Sequence, residues 1–153
     1  MKHVLDVMSE NPPCVSPDLP VRELARMLVE SGRDGYCVVE DNALVGVVTA
    51  MDLIFQEKQL RLPAFFSFLD SMVPLGIKQT HAEIRKMTGS TVRDVMSPSP
   101  VTVRFDAAID HVASLMVEKH YTLLPVVRED TLVGEVTKLS VLNGLLHAAG
   151  EAS

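Results

Sequence analysis

The chain carries one nine-residue stretch twice, and this stretch decides the fold. Residues 44–52 read Leu-Val-Gly-Val-Val-Thr-Ala-Met-Asp, and residues 132–140 read Leu-Val-Gly-Glu-Val-Thr-Lys-Leu-Ser. At the same shift of 88 residues, segment 3–54 pairs with segment 91–142 without a gap, with 18 identities in 52 positions. Chance does not give that agreement over an ungapped overlap, so the chain is an internal duplication.

Each repeat predicts the element order β-α-β-β-α. In the first repeat, the apolar segment 14–15 leads to Asp18, which is suited to cap a helix. Apolar residues then recur at i, i+3, i+4 and i+7 over 21–28, the pattern of one helix face. Segments 36–40 and 44–48 predict two strands joined by a tight turn, and a second helix follows them.

The second repeat predicts the same elements 88 residues later. Its first apolar segment is 101–103, Asp106 matches the helix-capping aspartate, and residues 109–116 repeat the apolar helix face. A unit of about 50 residues buries too little apolar surface to be comfortably stable alone. We therefore expect an α/β (α+β) fold in which the two repeats share a core about a pseudo-twofold axis, with clefts where their strand ends meet.

The division expected from this pattern is a first repeat at 1–60, a helical insert at 61–90 and a second repeat at 91–153. The insert contains a capping-box spacing from Thr80 to Glu83. It also concentrates three phenylalanines in residues 65–68, which predicts either a dimer face or a small satellite core.

The composition narrows the functional classes. A net charge of −6 over 153 residues argues against a general nucleic-acid binder, and no apolar run is long enough for a membrane helix. Two cysteines without a C-x-x-C pattern indicate a reducing compartment, so we expect a cytoplasmic protein with packed thiols. No metal-ligand spacing, P-loop or nucleophile motif is present, and the sequence offers no candidate for catalysis.

The repeated segments resemble the CBS domain, the unit named after cystathionine β-synthase. The resemblance is carried by Asp-Val-Met-Ser at 6–9 and 94–97, by Pro-Val-Val at 125–127, and by the nine-residue stretch at 44–52 and 132–140. Two tandem copies form what is called a Bateman module, and here the resemblance covers both repeats while the insert falls outside it. The resemblance implies pairing of modules into a disc, hence a homodimer, and a ligand that contains adenosine.

That resemblance also implies the site residues of a first cleft. The aspartate of the stretch, here Asp52, would take the ribose hydroxyls, and Thr49 would lie near the first phosphate. A carboxylate accepts two hydrogen bonds and so matches a vicinal diol, while the start of a helix favours an anion. Residues that would form the base pocket and cleft walls are Val47, Ser99, Pro100, Val101, Tyr121, Thr122 and Leu123.

Some of the candidate site residues also have a simpler structural interpretation. Asp52 is also placed to cap the helix that follows it. Lys138 and His120 are candidates for phosphate contact, but solvated surface charges are the simpler interpretation of both. Family members that sense nucleotides often carry histidine or arginine where this chain has Thr122 and Leu123. The cleft is therefore expected to favour AMP, adenosine or S-adenosylmethionine over ATP, although ADP and ATP belong to the same ligand class.

The second cleft is expected to be weak or empty. Ser140 replaces the aspartate and makes one neutral contact where a carboxylate makes two charge-assisted ones. Asp34 would repel a phosphate. The remaining residues that would form this cleft are Asn11, Pro12, Pro13, Arg33, Gly35 and Thr137.

Two functional hypotheses follow. The first is a regulatory sensor in which an adenosyl ligand, bound between the repeats, changes their arrangement and a partner protein on another chain detects the change. The second is a dimerisation or protein-interaction module that needs no ligand and no cofactor.

Overall fold

A computed structural model describes residues 3–60 and 90–151, and each repeat in it has seven elements. Those of the first repeat are α1 (Val4–Val7), β1 (Ser9–Glu10), β2 (Cys14–Val15), α2 (Val21–Ser31), β3 (Gly35–Glu40), β4 (Ala43–Thr49) and α3 (Ala50–Leu60). Those of the second are α4 (Val92–Val95), β5 (Ser97–Pro98), β6 (Val103–Arg104), α5 (Ile109–Lys119), β7 (Leu123–Arg128), β8 (Thr131–Thr137) and α6 (Lys138–Glu151). The predicted α+β class is confirmed, and each repeat adds a short helix and a short strand before the predicted elements.

The hairpins form where the alternating apolar segments predict them. In the first repeat β3 and β4 are antiparallel, and the turn residues Asp41 and Asn42 have φ of 53° and 65°. Two positive φ values in a two-residue turn match the twist of the flanking strands, and Asp and Asn tolerate that conformation. Glu129 and Asp130 repeat the turn in the second repeat, with φ of 50° and 65°.

Helices α2 and α5 bury the predicted faces but start later than predicted. The buried residues of α2 include Leu24 and Leu28, and those of α5 include Val112 and Met116. The prediction that Asp18 and Asp106 cap these helices is wrong. The N-cap residues are Pro20 and Ala108, and neither makes a side-chain capping bond.

Both aspartates have other partners. Asp18 lies in the preceding turn, where its N–H donates to Ser16 Oγ and its carboxylate faces Arg93 at 3.5 Å. Asp106 accepts two hydrogen bonds of 3.0 Å from Arg104.

The two repeats exchange their first elements. Strand β1 pairs with β8, and β5 pairs with β4, so the sheet orders are β1-β8-β7-β6 and β2-β3-β4-β5. The fully buried Val92 of α4 packs into the core of the first repeat, and Val4 of α1 packs into that of the second. A third buried cluster of Cys37, Val47 and Leu123 joins the sheets. The sequence predicts one shared core, whereas in the structure each repeat has its own core and the exchanged elements link the two.

The exchange explains the glycine in the duplicated stretch. A Cβ atom on Gly46 would lie 2.9 Å from the Ser97 carbonyl oxygen of β5, and one on Gly134 would lie 2.7 Å from the Ser9 carbonyl oxygen of β1. Such separations are shorter than real side chains adopt, so only glycine lets the exchanged strands approach this closely.

The predicted insert lies almost wholly outside the described residues, and this includes both its capping box and its phenylalanine cluster. Helix α3 extends to Leu60. In the described parts of the chain, no helix is long and apolar enough to cross a lipid bilayer.

Candidate functional site

The first cleft is a cavity of about 350 Å³ between the repeats. The end of β4 and the start of α3 form one side, the exchanged strand β5 and the residues after it form a second, and the turn between α5 and β7 forms a third. The structure brings together every residue predicted for this cleft except Lys138. Its lining residues are Val47, Thr49, Met51, Asp52, Ser97, Pro98, Ser99, Pro100, Val101, Lys119, His120, Tyr121, Thr122, Leu123 and Leu124.

Asp52 and Thr49 form a reciprocal cap at the start of α3. The N–H and the hydroxyl of Thr49 donate to Asp52 Oδ2 at 2.8 Å and 3.1 Å, and the Asp52 N–H donates to Thr49 Oγ1 at 3.3 Å. The capping interpretation is therefore confirmed as a contact. Both bonds to the carboxylate use Oδ2, so Oδ1 takes no part in the cap.

Burial dominates the electrostatics of this carboxyl group. It raises the pKa of Asp52 above the ordinary value, and the two hydrogen bonds from Thr49 offset part of that increase. A half-buried carboxylate of this kind binds a hydrogen-bond donor more strongly than a fully solvated one would, because less water competes for it.

The cleft combines an apolar floor with a lysine and a histidine at one end. Val47 and Leu123 are buried at the contact between the sheets. Lys119 and His120 line the end formed by α5, where His120 ends the helix with φ of 59°. The sequence analysis did not predict Lys119 as a cleft residue. The one signal for it in the sequence was its position directly before this helix end.

The second repeat makes the same cap without a carboxylate. The Thr137 N–H donates to Ser140 Oγ at 3.2 Å, the two hydroxyl oxygens are hydrogen-bonded at 3.0 Å, and the Ser140 N–H donates to Thr137 Oγ1 at 3.3 Å. Serine thus replaces aspartate in the cap with nearly unchanged geometry. The Asp52-to-Ser140 difference therefore changes what the residue offers to a ligand and leaves helix capping intact.

Ion pairs between the repeats occupy the second cleft. Arg33 Nη2 lies 2.5 Å from Glu135 Oε2, and Glu135 is only 1% exposed. Lys138 Nζ lies 3.4 Å from Asp34 Oδ2, which places Lys138 at this cleft and pairs the carboxylate that was expected to repel phosphate. Glu135 was missed in the sequence analysis. The available signal was the glutamate that stands for Val47 inside an otherwise apolar stretch.

The other residues predicted for the second cleft lie between β1 and β2, except for Gly35, which begins β3. The Pro12 carbonyl accepts a hydrogen bond from the Cys14 thiol at 3.3 Å, and Asn11 has φ of 50°. Its counterpart in the first cleft, Ser99, has nearly the same φ of 51°. Pro13 follows in this turn and is exposed.

Cys37 faces the same charged region from β3. Burial, together with the negative charge of Glu135, raises the pKa of the Cys37 thiol to about 12. Both cysteines are free thiols. In the part of the chain that the structure describes, no cluster of three or more His, Cys, Asp or Glu side chains could hold a metal ion.

Comparison with known proteins gives a consistent family. The CBS domain matches residues 4–57 and 92–147. The chloroplastic CBS domain-containing protein CBSX2 of Arabidopsis thaliana is 32% identical over 143 residues, 90% of this chain and 60% of CBSX2. CBSX1 of the same plant is 30% identical over 139 residues, 87% of this chain and 58% of CBSX1. The chain thus spans about 60% of the length of these curated relatives.

Solved structures agree with that match. The crystal structure of CBSX2 in complex with AMP superposes with a TM-score of 0.74 at 29% identity, covering 97% of this chain and 99% of that one. MJ1225 of Methanocaldococcus jannaschii superposes with a TM-score of 0.74 at 23% identity, covering 94% of this chain and 48% of that one. This second likeness shows the fold alone.

Proposed function

The chain belongs to the CBS domain family, and we propose that it is a regulatory module that binds an adenosyl ligand in the first cleft. The ligand would be AMP, adenosine or S-adenosylmethionine in preference to ATP. A protein on another chain would respond to the bound state. The observation that carries the proposal is a cavity between the repeats that combines an apolar floor with a carboxylate oxygen left out of the helix cap.

Asp52 supplies the ribose contact in this proposal. Oδ2 is held by Thr49, which fixes the orientation of the carboxylate, and Oδ1 is left to accept a hydrogen bond from a ribose hydroxyl. A carboxylate already positioned by its cap loses little side-chain entropy when the ligand binds. Capping and ribose binding are thus compatible roles of one side chain.

The remainder of the cavity fits a nucleoside with one phosphate. A volume of about 350 Å³ is near the lower end of the range of roughly 300–1,000 Å³ for small-molecule sites. Val47 and Leu123 offer apolar surface to a base, while Lys119 offers positive charge and His120 a hydrogen-bonding ring nitrogen to an anion. AMP in the related CBSX2 structure supports this ligand class.

A ligand in this cleft would contact both repeats. Asp52 and Thr49 belong to the first repeat, while Ser99, His120 and Thr122 belong to the second. Its binding free energy therefore depends on how the repeats are arranged, and a ligand that prefers one arrangement shifts the population toward it. This dependence is the route by which occupancy would reach a partner.

A homodimer is part of the proposal. Helices α3 and α6 expose an apolar face, with Phe55 60% and Leu139 68% accessible. Exposed apolar surface of this extent is typical of a protein interface. The other large exposed apolar side chains of these helices are Met51, Ile54, Leu142, Leu145 and Leu146. The same face supports the second candidate function, a ligand-independent dimerisation module.

The proposal also covers the domain division, the absence of catalysis and the location of the protein in the cell. The module divides into repeats at 1–60 and 91–153 with an insert at 61–90. It acts without catalysis or a required cofactor, binds neither nucleic acid nor membrane, and resides in the cytoplasm. The free thiols of Cys14 and Cys37 are compatible with such a reducing compartment.

Thermal denaturation with AMP, adenosine, S-adenosylmethionine and ATP tests the proposal. A ligand at 100 times its dissociation constant stabilises the folded protein by about 2.7 kcal/mol. We expect AMP to stabilise the protein more than ATP at equal concentration. A dimer in sedimentation analysis with no response to any of the four ligands would support the assembly function instead.

A further inference from the structure

The two clefts differ most in what the chain places at their centres. In the first cleft, Tyr121 lies on the wall and Val47 on the floor, with open space beside them. Duplication puts Arg33 and Glu135 at the matching positions of the second cleft. There the guanidinium reaches the carboxylate, 2.5 Å from Nη2 to Oε2. A direct ion pair thus joins the wall to the floor at the positions that Tyr121 and Val47 hold in the first cleft.

Arg33 is held in place by three different contacts. Besides the ion pair, its Nε–H donates to the Gly35 carbonyl oxygen at 3.2 Å, and its guanidinium lies 4.9 Å from the centre of the Tyr36 ring. Its side chain is 24% exposed, while that of Glu135 is 1% exposed. A guanidinium fixed by carboxylate, carbonyl and aromatic partners is bound in the way a cationic ligand would be.

We propose that Arg33 is a built-in occupant of the second cleft, which ties the two repeats together through Glu135 and excludes a nucleoside from that side. The part of this proposal that concerns exclusion rests on the proposed function, whereas the tie between the repeats does not.

Removing one partner of the Arg33–Glu135 pair and replacing both partners have different effects on stability. Among the residues that the structure describes, Glu135 Oε1 has no hydrogen-bond partner, and Arg33 is the cation that pairs with this carboxylate. Removing one partner of a buried pair leaves an unpaired buried charge, whereas replacing both partners by apolar groups is often neutral. The pair therefore specifies an arrangement of the repeats rather than adding much net stability.

A double-mutant cycle on the full chain tests the tie. We expect Arg33→Met to raise the unfolding equilibrium constant at least about tenfold, and Arg33→Met with Glu135→Val to restore it to near the wild-type value. The control pair Asp34–Lys138 is 39% and 56% exposed, and its cycle should show less than about fivefold coupling. A stable Arg33→Met variant, or additive losses in the double variant, would overturn the tie.

AMP stoichiometry, measured by equilibrium dialysis, tests the exclusion. We expect one AMP per wild-type chain and no second AMP with Ser140→Asp alone. The triple variant R33Y/E135V/S140D carries the first cleft's residues and should bind a second AMP. Two AMP per wild-type chain, or no second AMP on a folded triple variant, would overturn the exclusion. If the wild type binds none of AMP, adenosine and S-adenosylmethionine, the proposed function fails, and the cycle still decides the tie.

Discussion

Asp52→Ser separates the two roles of the residue, because the chain already contains a serine in the matching place. Ser140 makes the same reciprocal cap with Thr137, at 3.2 Å and 3.3 Å. The substitution should therefore change the free energy of unfolding by less than about 1 kcal/mol, the usual cost of losing a cap outright. Asp52→Ala, in contrast, loses both the cap and the carboxylate.

The same change should weaken AMP binding strongly. A hydrogen bond to a charged group contributes about 1.5–3 kcal/mol, so losing one raises the dissociation constant roughly 10- to 150-fold. Isothermal titration calorimetry gives the affinity, and urea denaturation of the same samples gives the stability. An Asp52→Ser protein that binds AMP like the wild type would refute the ribose contact. A large loss of stability would refute the equivalence of the two caps.

The pH dependence of stability gives a second readout of Asp52. Because burial raises its pKa in the folded protein, folding favours the protonated carboxyl. The resulting stabilisation is fully present below the pKa of the unfolded chain and is lost as pH rises through that of the folded protein. The ligand-free wild type should therefore gain stability relative to Asp52→Ser as the pH falls through this range. A difference that stays flat with pH would contradict the burial.

Three further predictions concern the fold. His120 has φ of 59° at the position where the first repeat has Gly32 with φ of 71°, and glycine adopts this left-handed conformation without strain. His120→Gly should therefore raise the free energy of unfolding, measured by urea denaturation, by about 0.5–1 kcal/mol. Gly32→Ala should lower it by about 1 kcal/mol. Val92→Ala should cost about 2 kcal/mol, because this residue of the second repeat is fully buried in the core of the first, and a loss below about 0.5 kcal/mol would contradict the exchange. Iodoacetamide should label the exposed Cys14 in the folded protein, slowly because partial burial raises the pKa of its thiol, and the buried Cys37 only after unfolding; mass spectrometry of the peptides distinguishes the two.

Sequence reasoning located the elements that depend on local pattern. The apolar face of α2 and the hairpin around Asp41 follow from periodicities within a few residues, and the duplication confirmed each by repetition. The walls of the first cleft were predicted because the resemblance mapped residue by residue. The structure brings these walls together around one cavity.

The predictions that were wrong or missing concern contacts between segments that are far apart in the sequence. Asp18 faces Arg93, which is 75 residues away in the sequence. No local pattern shows this contact, and the sequence around Asp18 predicts a helix cap instead. The exchange of β1 and β5 is likewise invisible to periodicity, since each strand has only two residues. Glu135 was overlooked because a glutamate in a strand is normally a solvated residue, and only the structure shows its burial with Arg33.

A crystal structure of the protein with AMP tests the central claim most directly. The account predicts one AMP per chain, in the first cleft, with a ribose hydroxyl within hydrogen-bond distance of Asp52 Oδ1 and with the Arg33–Glu135 pair intact in the second cleft. An AMP bound against Ser140, with Arg33 displaced and the first cleft empty, would contradict it.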